Sequence, residues 1–517
     1  MTSRREFLRA TAGLAVAAAP WPSLLAQPRF AFDPFTLGVA SGYPTAEDVV
    51  LWTRLAPEPL KGGGMPRAGI KVEWEVAADE AFRGVVRKGT EIAAPQWGHS
   101  VHAEVAGLEP ARHYYYRFHA GGATSPVGRT RTAPVPGVAP DRLRFAFASC
   151  QHYEQGWYCA YRHMAAEDLD LVIHLGDYIY ESSWGRNHVR KHDTGAEEPI
   201  TLEEYRNRHA LYKSDPDLRA AHAAFPWLVT WDDHEVSNDY AADQSQYRDL
   251  SAAFLRRRAA AYQAYYEHMP LPRRMQPAGR DMKIYTHADF GALVRFHVLD
   301  DRQYRTAQVC PRPGRGGGNV VRTTDCPELF DPARTMLGAV QEGWLDESLM
   351  RSRARWNVIA QQTLMTRIDR TPGPGESFWT DGWDGYPVAR ARLVKSLSHP
   401  QVANPVVIGG DVHTFVVADI KADYDDPKAP VLATEFTGTS ITSQGPGPKI
   451  LEAWRAENPN VRFGNGSLRG YTTIELSPAR CTARLRSVRS VSDRDSPVST
   501  LATFVVEDGR RGAQQDS

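Results

Sequence analysis

An apolar run at residues 169–175 ends in the sequence Gly-Asp-Tyr-Ile-Tyr, so Asp177 and Tyr180 follow a segment with the composition of a buried strand. Open α/β sheets bind their ligands at the carboxyl ends of the strands. A carboxylate at such a strand end can bridge two cations, and a phenolate three residues later can bind one of them as a hard oxygen donor. The segment therefore indicates a metal-dependent hydrolase, although an Asp after a strand can also be a simple helix cap.

Other apolar segments end in polar residues in the same way. Buried strands are predicted at residues 143–148, 227–231, 292–299, 356–360 and 406–408. The residues that follow them are Cys150, Asp232-Asp233-His234-Glu235, Asp300-Asp301-Arg302, Gln361-Gln362 and Asp411-Val412-His413. Packing does not explain why each strand would deliver a ligand, an acid or an amide to the same end of a sheet, because buried charges are costly unless they are paired or bind metal.

The order of these segments predicts an α/β fold. A helix predicted at residues 156–167 connects the first strand to the second, which is the arrangement of a right-handed crossover unit. A second helix is predicted at residues 250–267, which contain no Gly or Pro. The tail after Val506 is short and polar, and we expect residues 506–517 to be disordered.

The part of the chain before this region is rich in strand signals. Residues 28–133 contain segments of β-branched and aromatic residues separated by Gly, Pro and Asp turns, and the spacing from Leu108 to Tyr114 is typical of the tyrosine corner of fibronectin or immunoglobulin-like domains. We therefore predict a small β-sandwich domain at 28–133, acting either as a structural cover or as a binding module. The Pro-rich linker at residues 133–140 separates it from a second domain at residues 141–505.

The amino terminus has the layout of a twin-arginine export signal. Arg4 and Arg5 precede an Ala-rich apolar stretch at residues 10–19, and Ala26 is a candidate for the last residue before cleavage. The stretch is short for a membrane anchor, the alternative interpretation, and no later segment is apolar enough to span a bilayer. Residues 1–26 thus predict the twin-arginine machinery as a partner, a periplasmic or secreted protein, and no transmembrane segment in the mature chain. Because that machinery exports folded proteins, a metal site loaded in the cytoplasm is favoured.

Charge and cysteine content narrow the remaining options. The sequence has 61 Lys plus Arg and 61 Asp plus Glu, so no net field recruits nucleic acid or an anionic membrane, and no stable nucleic-acid partner is expected. Cys310 and Cys326 flank a Gly-, Pro- and Arg-rich loop that a disulfide can close in an oxidising compartment, a pairing that the sequence leaves open. Cys159 and Cys481 are expected to be buried, inert thiols.

Residue chemistry suggests different roles within the predicted site. Asp177 can bridge two ions, Asp233 and Asp411 supply further oxygen donors, and His413 suits a transition metal. Cys150 and Tyr180 together favour a ferric ion. His234 is better suited to bind the leaving oxygen or to protonate it.

Each of these residues also has a structural interpretation. Cys150 can be a small thiol at a strand end, Tyr180 an interior phenol and His413 a core histidine, whereas Asp232 can cap a turn or pair with an arginine. Amides such as Gln361 and Gln362 more often bind backbone groups than ligands. The joint occurrence of all these residues in one order favours the metal site.

With these motifs the chain resembles the PhoD-type alkaline phosphatases, which belong to the wider metallophosphatases. The blocks that carry the resemblance are residues 148–150, 176–181, 231–235, 361–362 and 409–413, supported by residues 261–270, 302–305, 336–338 and 381–386. The resemblance covers nearly the whole chain, and it implies a metallophosphatase-type β-sheet sandwich flanked by helices for the second domain.

The resemblance also implies an iron and calcium site. Fe(3+) falls on Cys150, Asp177, Tyr180 and His413. Ca(2+) shares Asp177 and takes Asp233 and Asp411, with Asn238 as a weaker candidate. The chain has Asp-Asp-His-Glu at residues 232–235, where the superfamily usually has Gly-Asn-His-Glu, so the choice among Asp232, Asp233 and Asn238 stays open, and we favour Asp233 because it directly precedes His234.

The resulting hypothesis is hydrolysis of phosphate monoesters and diesters by attack of a metal-bound hydroxide, with small-molecule phosphate esters and phospholipid or polymer diesters as candidate substrates. His234 would support the leaving oxygen and Arg302 would clamp the phosphate. The alternatives are a phosphodiesterase or phospholipase D-type enzyme with the same metal centre, a zinc or other divalent pair in place of iron and calcium, and an exported binding protein without catalysis.

Overall fold

The structure is a computed structural model that describes residues 29–186, 188–192 and 197–516. The predicted export signal at residues 1–26 lies outside these ranges. Within them, every helix is too short or too polar to cross a bilayer.

A ten-stranded sheet forms the larger layer of the molecule. With strands numbered in chain order, it contains β1 (Val39–Gly42), β2 (Val49–Arg54), β5 (Ser100–Val105), β9 (Leu143–Ala148), β10 (Leu171–His174), β11 (Pro226–Val229), β21 (Arg469–Leu476), β22 (Arg480–Val488), β23 (Val498–Glu507) and β24 (Gln514–Asp516). The spatial order is β24-β23-β22-β21-β9-β10-β11-β1-β2-β5. β9, β10, β11 and β1 run parallel, so three of the predicted site strands are adjacent.

A seven-stranded sheet packs against the first. Its spatial order is β12 (Thr286–Phe290), β13 (Val294–Val298), β15 (Trp356–Ala360), β17 (Pro405–Gly409), β19 (Val431–Thr437), β18 (Phe415–Lys421) and β20 (Val461–Asn465). The two sheets share one hydrophobic core, in which the rings of Phe145 and Phe296 meet edge to face with centroids 5.1 Å apart. The expectation that all site strands lie in one sheet was wrong: β9, β10 and β11 belong to one sheet and β13, β15 and β17 to the other. The strands of the two sheets are similar in amino-acid composition, so only the tertiary packing decides which strands pair with each other.

Seven helices lie between the strands in the described part of the chain. They are α1 (Cys159–Ala165), α2 (Leu202–Lys213), α3 (Pro216–Ala224), α4 (Ser251–His268), α5 (Gly338–Arg351), α6 (Pro387–Leu397) and α7 (Pro448–Glu457). α1 joins the parallel strands β9 and β10, and it buries Cys159, Tyr161 and Met164. α2 begins with a capping box in which Thr201 and Glu204 satisfy each other's backbone N–H groups. Both helices predicted from the sequence are thus present, as α1 and α4, and the α/β class is confirmed.

The amino-terminal strands are divided between two sheets. β3 (Ile70–Ala77), β4 (Val85–Ala93), β6 (His113–Ala120), β7 (Ala123–Thr124) and β8 (Gly128–Arg131) form a separate five-stranded sheet. It packs on β1, β2 and β5 through an apolar cluster that includes Val72, Phe118 and Leu51. Tyr114 accepts a hydrogen bond from the backbone N–H of Glu109 at 2.8 Å, which is the contact of a tyrosine corner. The amino-terminal region therefore has two layers, and the layer of β1, β2 and β5 is part of the ten-stranded sheet. Its strand β1 pairs with β11 and so covers the edge of β11 that would otherwise be free.

Two further segments are ordered by pairing. The tail that we expected to be disordered continues β23 to Glu507 and returns as β24, which pairs antiparallel with β23. Backbone hydrogen bonds at a sheet edge do not require apolar side chains, and composition alone therefore misses such a strand. A disulfide joins Cys310 and Cys326, the pairing that the sequence left undecided, and it closes the Gly-, Pro- and Arg-rich loop between them. Next to this loop, β14 (Val320–Arg322) pairs with β16 (Ser377–Trp379).

Candidate metal centre

Strained turns at the strand ends bring the predicted ligands together. Cys150, Asp177, Asp411 and His413 have positive φ angles of 59°, 56°, 63° and 53°, which residues other than Gly rarely adopt. Gly176, between β10 and Asp177, has φ 106°, and a Cβ there would lie 2.5 Å from the backbone nitrogen of Asp232. Only Gly therefore allows the loops after β10 and β11 to approach this closely.

Four predicted residues form one side of the centre. Ligand atoms of Cys150, Asp177 and His413 lie within 4.8 Å of one another. The Tyr180 hydroxyl donates to Asp177 Oδ2 at 2.8 Å and lies 3.1 Å from His413 Nε2. The Ser443 hydroxyl, which sequence reasoning missed, lies 2.8 Å from the Tyr180 hydroxyl and 2.8 Å from the Cys150 carbonyl oxygen. Side chains from both sheets thus meet at Asp177.

Carboxylates form the other side. Asp177, Asp233 and His234 present ligand atoms within 4.8 Å of one another, and Asp233 does so again with Asp239 and Asp381. Asp233 Oδ2 accepts a hydrogen bond from the backbone N–H of Asp239 at 2.6 Å. Asp239 and Asp381 were not predicted as site residues, although Asp381 begins one of the supporting sequence blocks and Asp239 lies only a few residues after Asp233.

Two other predicted residues are placed beside this cluster. Asp411 Oδ2 accepts a hydrogen bond from the Thr363 hydroxyl at 2.6 Å. Asn238 donates its backbone N–H to Glu181 at 2.7 Å and its side-chain amide to Gln246 at 3.0 Å. The contacts of Asn238 therefore tie it to neighbouring loops, whereas the charge of Asp411 acts on Asp177 and Cys150.

The electrostatics of the cluster favour a bound cation. Burial, together with the charges of Asp233 and Asp411, raises the pKa of Asp177 to about 7, although His234 opposes the shift. Burial is also the main cause that raises the pKa of Asp411 to about 6 and that of the Cys150 thiol well above its usual range. Among the described residues, Oδ1 of Asp177 and Oδ1 of Asp233 are buried without a hydrogen-bond partner, and Oδ1 of Asp233 has a long ion-pair contact of 3.4 Å with Arg302. Thiol, imidazole, phenol and unpartnered carboxylate oxygens together fit a transition metal beside a hard cation.

His234 lies between a buried carboxylate and the ring of Tyr180. Its Nδ1 is 2.6 Å from Oε2 of the buried Glu181, and its ring centroid is 4.2 Å from that of Tyr180. Burial lowers the pKa of His234, but the carboxylates of Glu181, Asp177 and Asp233 outweigh it and raise the pKa well above its usual value. The imidazolium form is therefore favoured.

Arg302 is enclosed by carboxylates. Its guanidinium pairs with Asp232 through Nε, with Asp381 Oδ2 at 2.8 Å and with Asp233 Oδ1 at 3.4 Å, and only 1% of Arg302 is exposed. Asp232 thus has the arginine-paired position that was one of its alternatives. The charge of Arg302 is compensated inside the protein.

Glu235 holds the two ligand loops together. Its Oε2 accepts the backbone N–H groups of Asp177 at 3.1 Å and Asp232 at 2.8 Å, and its Oε1 accepts that of Tyr178 at 2.5 Å. The sequence placed Glu235 in the Asp-Asp-His-Glu string without a role. Its position in that string was the available signal, but two of its three partners, Asp177 and Tyr178, lie in another loop.

The two glutamines after β15 bind protein groups, as their structural interpretation predicted. Gln362 donates to the Thr230 hydroxyl at 2.7 Å and to the Leu299 carbonyl at 2.8 Å. Gln361 accepts from Trp383 Nε1 at 3.1 Å. Both amides therefore support the loops around the centre and do not contribute to it.

Strand ends from two packed sheets that converge on buried carboxylates, a thiol, a phenol and an imidazole are typical of metal-dependent hydrolases. Comparison with known proteins identifies the family. Residues 145–485 match the PhoD-like phosphatase family, and residues 18–134 match the PhoD-like phosphatase N-terminal domain. The chain belongs to the PhoD-like phosphatase family.

Individual relatives agree over nearly the full length. Alkaline phosphatase D of Bacillus subtilis (strain 168) is 47% identical over 506 residues, which cover 95% of this chain and 84% of that protein. A solved structure described as the structure of PhoD is 47% identical, with a TM-score of 0.90 over 95% of this chain and 93% of that one. The predictions of the family and of a phosphoric ester hydrolase are confirmed.

Proposed function

We propose that the chain is an exported, metal-dependent phosphatase that hydrolyses phosphate monoesters and diesters outside the cytoplasm. The observation that carries this proposal is the convergence of Cys150, Asp177, Tyr180 and His413 with the carboxylate of Asp233 around the buried Oδ1 of Asp177, which has no hydrogen-bond partner. Family membership supports the reaction class.

We assign Fe(3+) to Cys150, Asp177, Tyr180 and His413, because a thiolate and a phenolate in one donor set suit a ferric ion. Ca(2+) is assigned to Asp177, Asp233 and Asp411, with Asn238 as a weaker candidate. When bound, the cations supply positive charge that stabilises the phosphoryl oxygens and lowers the pKa of water. Elemental analysis of the protein distinguishes iron and calcium from the alternative, a pair of zinc or other divalent ions.

The protein's own groups complete the site. His234, held as an imidazolium by Glu181, donates its proton to the leaving oxygen of the ester. Arg302 was predicted to clamp the phosphate, but its ion pairs with Asp232, Asp233 and Asp381 support a positioning role in which it fixes the carboxylates. Their mutual repulsion would otherwise separate them.

Export and domain organisation remain part of the proposal. The twin-arginine motif supports a periplasmic or secreted location and cofactor loading before export. The amino-terminal sandwich at 28–133 is proposed as a cover for the catalytic domain at 141–505, because its β1 pairs with β11 of that domain.

Replacing Asp177 by Asn tests the site. We expect loss of at least one cation and a fall in kcat of about a hundredfold or more, because both predicted ions lose a charged ligand. Asp419→Asn is the matched control, since Asp419, on β18, is equally buried at 1% exposure but pairs with Arg462 of β20. Wild-type turnover together with wild-type metal content in Asp177→Asn would mean that the site is misplaced.

The substrate class is measured separately on the wild-type protein. Turnover of a nitrophenyl phosphate monoester is compared with that of the matching diester, and elemental analysis is made on protein exported from its native host. A strong preference for the diester would replace the phosphatase assignment by a phosphodiesterase or phospholipase D-type activity, whereas turnover of neither ester would contradict the proposed function.

A further inference from the structure

Arg370 carries a charge that the protein does not compensate by contact. Its guanidinium lies over the rings of Trp454 and Trp379, 4.7 Å and 5.6 Å from their centroids. Its Nε is buried without a partner, and the described part of the chain offers its guanidinium neither a hydrogen bond nor an ion pair. The nearby Arg367 also has a buried Nε without a partner, but its terminal nitrogens pair with Glu376 at 2.9 Å and Asp425 at 2.7 Å.

Trp379 places Arg370 beside the carboxylate side of the centre. A Cβ on Gly318 would lie 2.5 Å from the ring of Trp379 and 2.9 Å from the Cβ of Asp381, so both residues flank the same point of the chain. Asp381 belongs to the cluster with Asp233 and Asp239. Trp379, one aromatic neighbour of Arg370, thus borders the carboxylate cluster that contains Asp233.

Trp454 places Arg370 beside the loop that carries Asp411 and His413. Trp454 packs in one apolar cluster with Val412, the residue between them. Burial lowers the pKa of Arg370, while the charges of Asp384 and Asp411 raise it. The contacts with Trp379 and Trp454 therefore connect Arg370 to the segments that carry Asp381 and Asp411.

An anionic ligand would offset the unfavourable free energy of burying the Arg370 guanidinium without a counter-ion. A guanidinium that is partly withdrawn from water without a counter-ion is unfavourable, and the flanking rings recover only part of that free energy. They do hold the planar group in one orientation, which reduces the entropy lost when it binds an oxyanion in a bidentate manner. Arg302, the arginine predicted for this role, is already paired with three carboxylates.

We propose that Arg370, held between Trp379 and Trp454, is the arginine that binds the phosphoryl oxygens of the substrate. This inference rests on the proposed function and specifies how its site recognises phosphate. The guanidinium binds non-bridging oxygens, whose negative charge is greater in a monoester dianion than in a diester monoanion. Replacing Arg370 should therefore weaken the binding of monoesters more than the binding of diesters.

The test compares Arg370→Gln with Arg367→Gln as the matched control on the same segment. For each metal-loaded protein we measure the inhibition constant of inorganic phosphate, KM and kcat on the paired monoester and diester, and metal content. In Arg370→Gln we expect phosphate to bind about 10- to 100-fold more weakly, with metal content unchanged and a larger rise of KM for the monoester. Arg367→Gln should stay within about twofold of wild type.

Two outcomes separate the failure of this inference from that of the proposed function. If wild type is active and the phosphate inhibition constant of Arg370→Gln is unchanged, Arg370 is not the phosphate ligand. If wild type holds no metal and hydrolyses neither ester, the proposed function itself fails. Should Arg370→Gln not fold, Arg370→Lys takes its place, for which we expect about three- to tenfold weaker phosphate binding because the charge remains without the bidentate fork. An unchanged constant in that variant overturns the inference as well.

Discussion

Replacing Glu235 by Gln removes one acceptor oxygen from a carboxylate that binds three backbone N–H groups. In the better of its two orientations, the amide oxygen takes the place of Oε2 and keeps the N–H groups of Asp177 and Asp232. The N–H of Tyr178 then faces an NH2 group instead of Oε1. The turn that holds Asp177 at a positive φ loses a hydrogen bond that opposes its strain.

The magnitude follows from the lost hydrogen bonds. Burial, with the charge of Asp177, raises the pKa of Glu235 to about 8, so the magnitude applies to the ionised carboxylate above this pH. One charge-assisted hydrogen bond then contributes about 1.5–3 kcal/mol, and the remaining two become weaker because the acceptor is no longer charged. We therefore expect the free energy of unfolding to fall by about 2–4 kcal/mol. Metal affinity should fall by about 10- to 100-fold, as is usual when a residue that orients the ligands is changed.

Glu435→Gln is the control for the loss of a buried carboxylate clamp. Glu435 is fully buried on β19 and accepts the N–H groups of Met365 and Thr366, each at 2.7 Å. Denaturant unfolding should show a similar loss of stability in both variants. Metal titration and elemental analysis should show a defect only in Glu235→Gln. Equal metal affinity in the two variants would refute the argument that Glu235 acts through the ligand loops.

Two further predictions concern pH. Because the pKa of Asp177 is raised to about 7 and that of Asp411 to about 6, these two carboxylates bind protons more tightly in the metal-free fold than in the unfolded chain, so their contribution to stability is present at acid pH and is lost as pH rises through this range. Denaturant unfolding of chelator-treated wild type and Asp177→Asn at about pH 5 and about pH 8 checks this: the wild type should lose stability relative to the variant at the higher pH, and a relative gain contradicts the prediction. Glu181→Gln removes the main charge that raises the pKa of His234, so the alkaline limb of the pH profile of kcat should move to lower pH, whereas an unmoved limb excludes His234 as the proton donor.

Local patterns predicted most of the strands that carry the site. β9, β10, β11, β13, β15 and β17 all lie within or next to the predicted segments, because apolar runs that end in Gly or polar residues report burial and chain reversal directly. Local patterns did not predict the disulfide pairing or the ordered carboxyl-terminal strand. Both depend on which distant segments the sheets bring together.

What the sequence by itself determined is the chemistry at the strand ends: the cysteine, tyrosine, aspartate and histidine side chains and the order in which they follow buried strands. Tertiary structure alone decided how these groups are used. Arg302 and Arg370 are the same residue type. Arg302 nevertheless pairs with Asp381, 79 residues away, whereas Arg370 lies between two aromatic rings. The physical reason is that the pairing of a buried charge depends on which distant segments pack beside it, and that is set by the assembly of two sheets rather than by neighbouring residues.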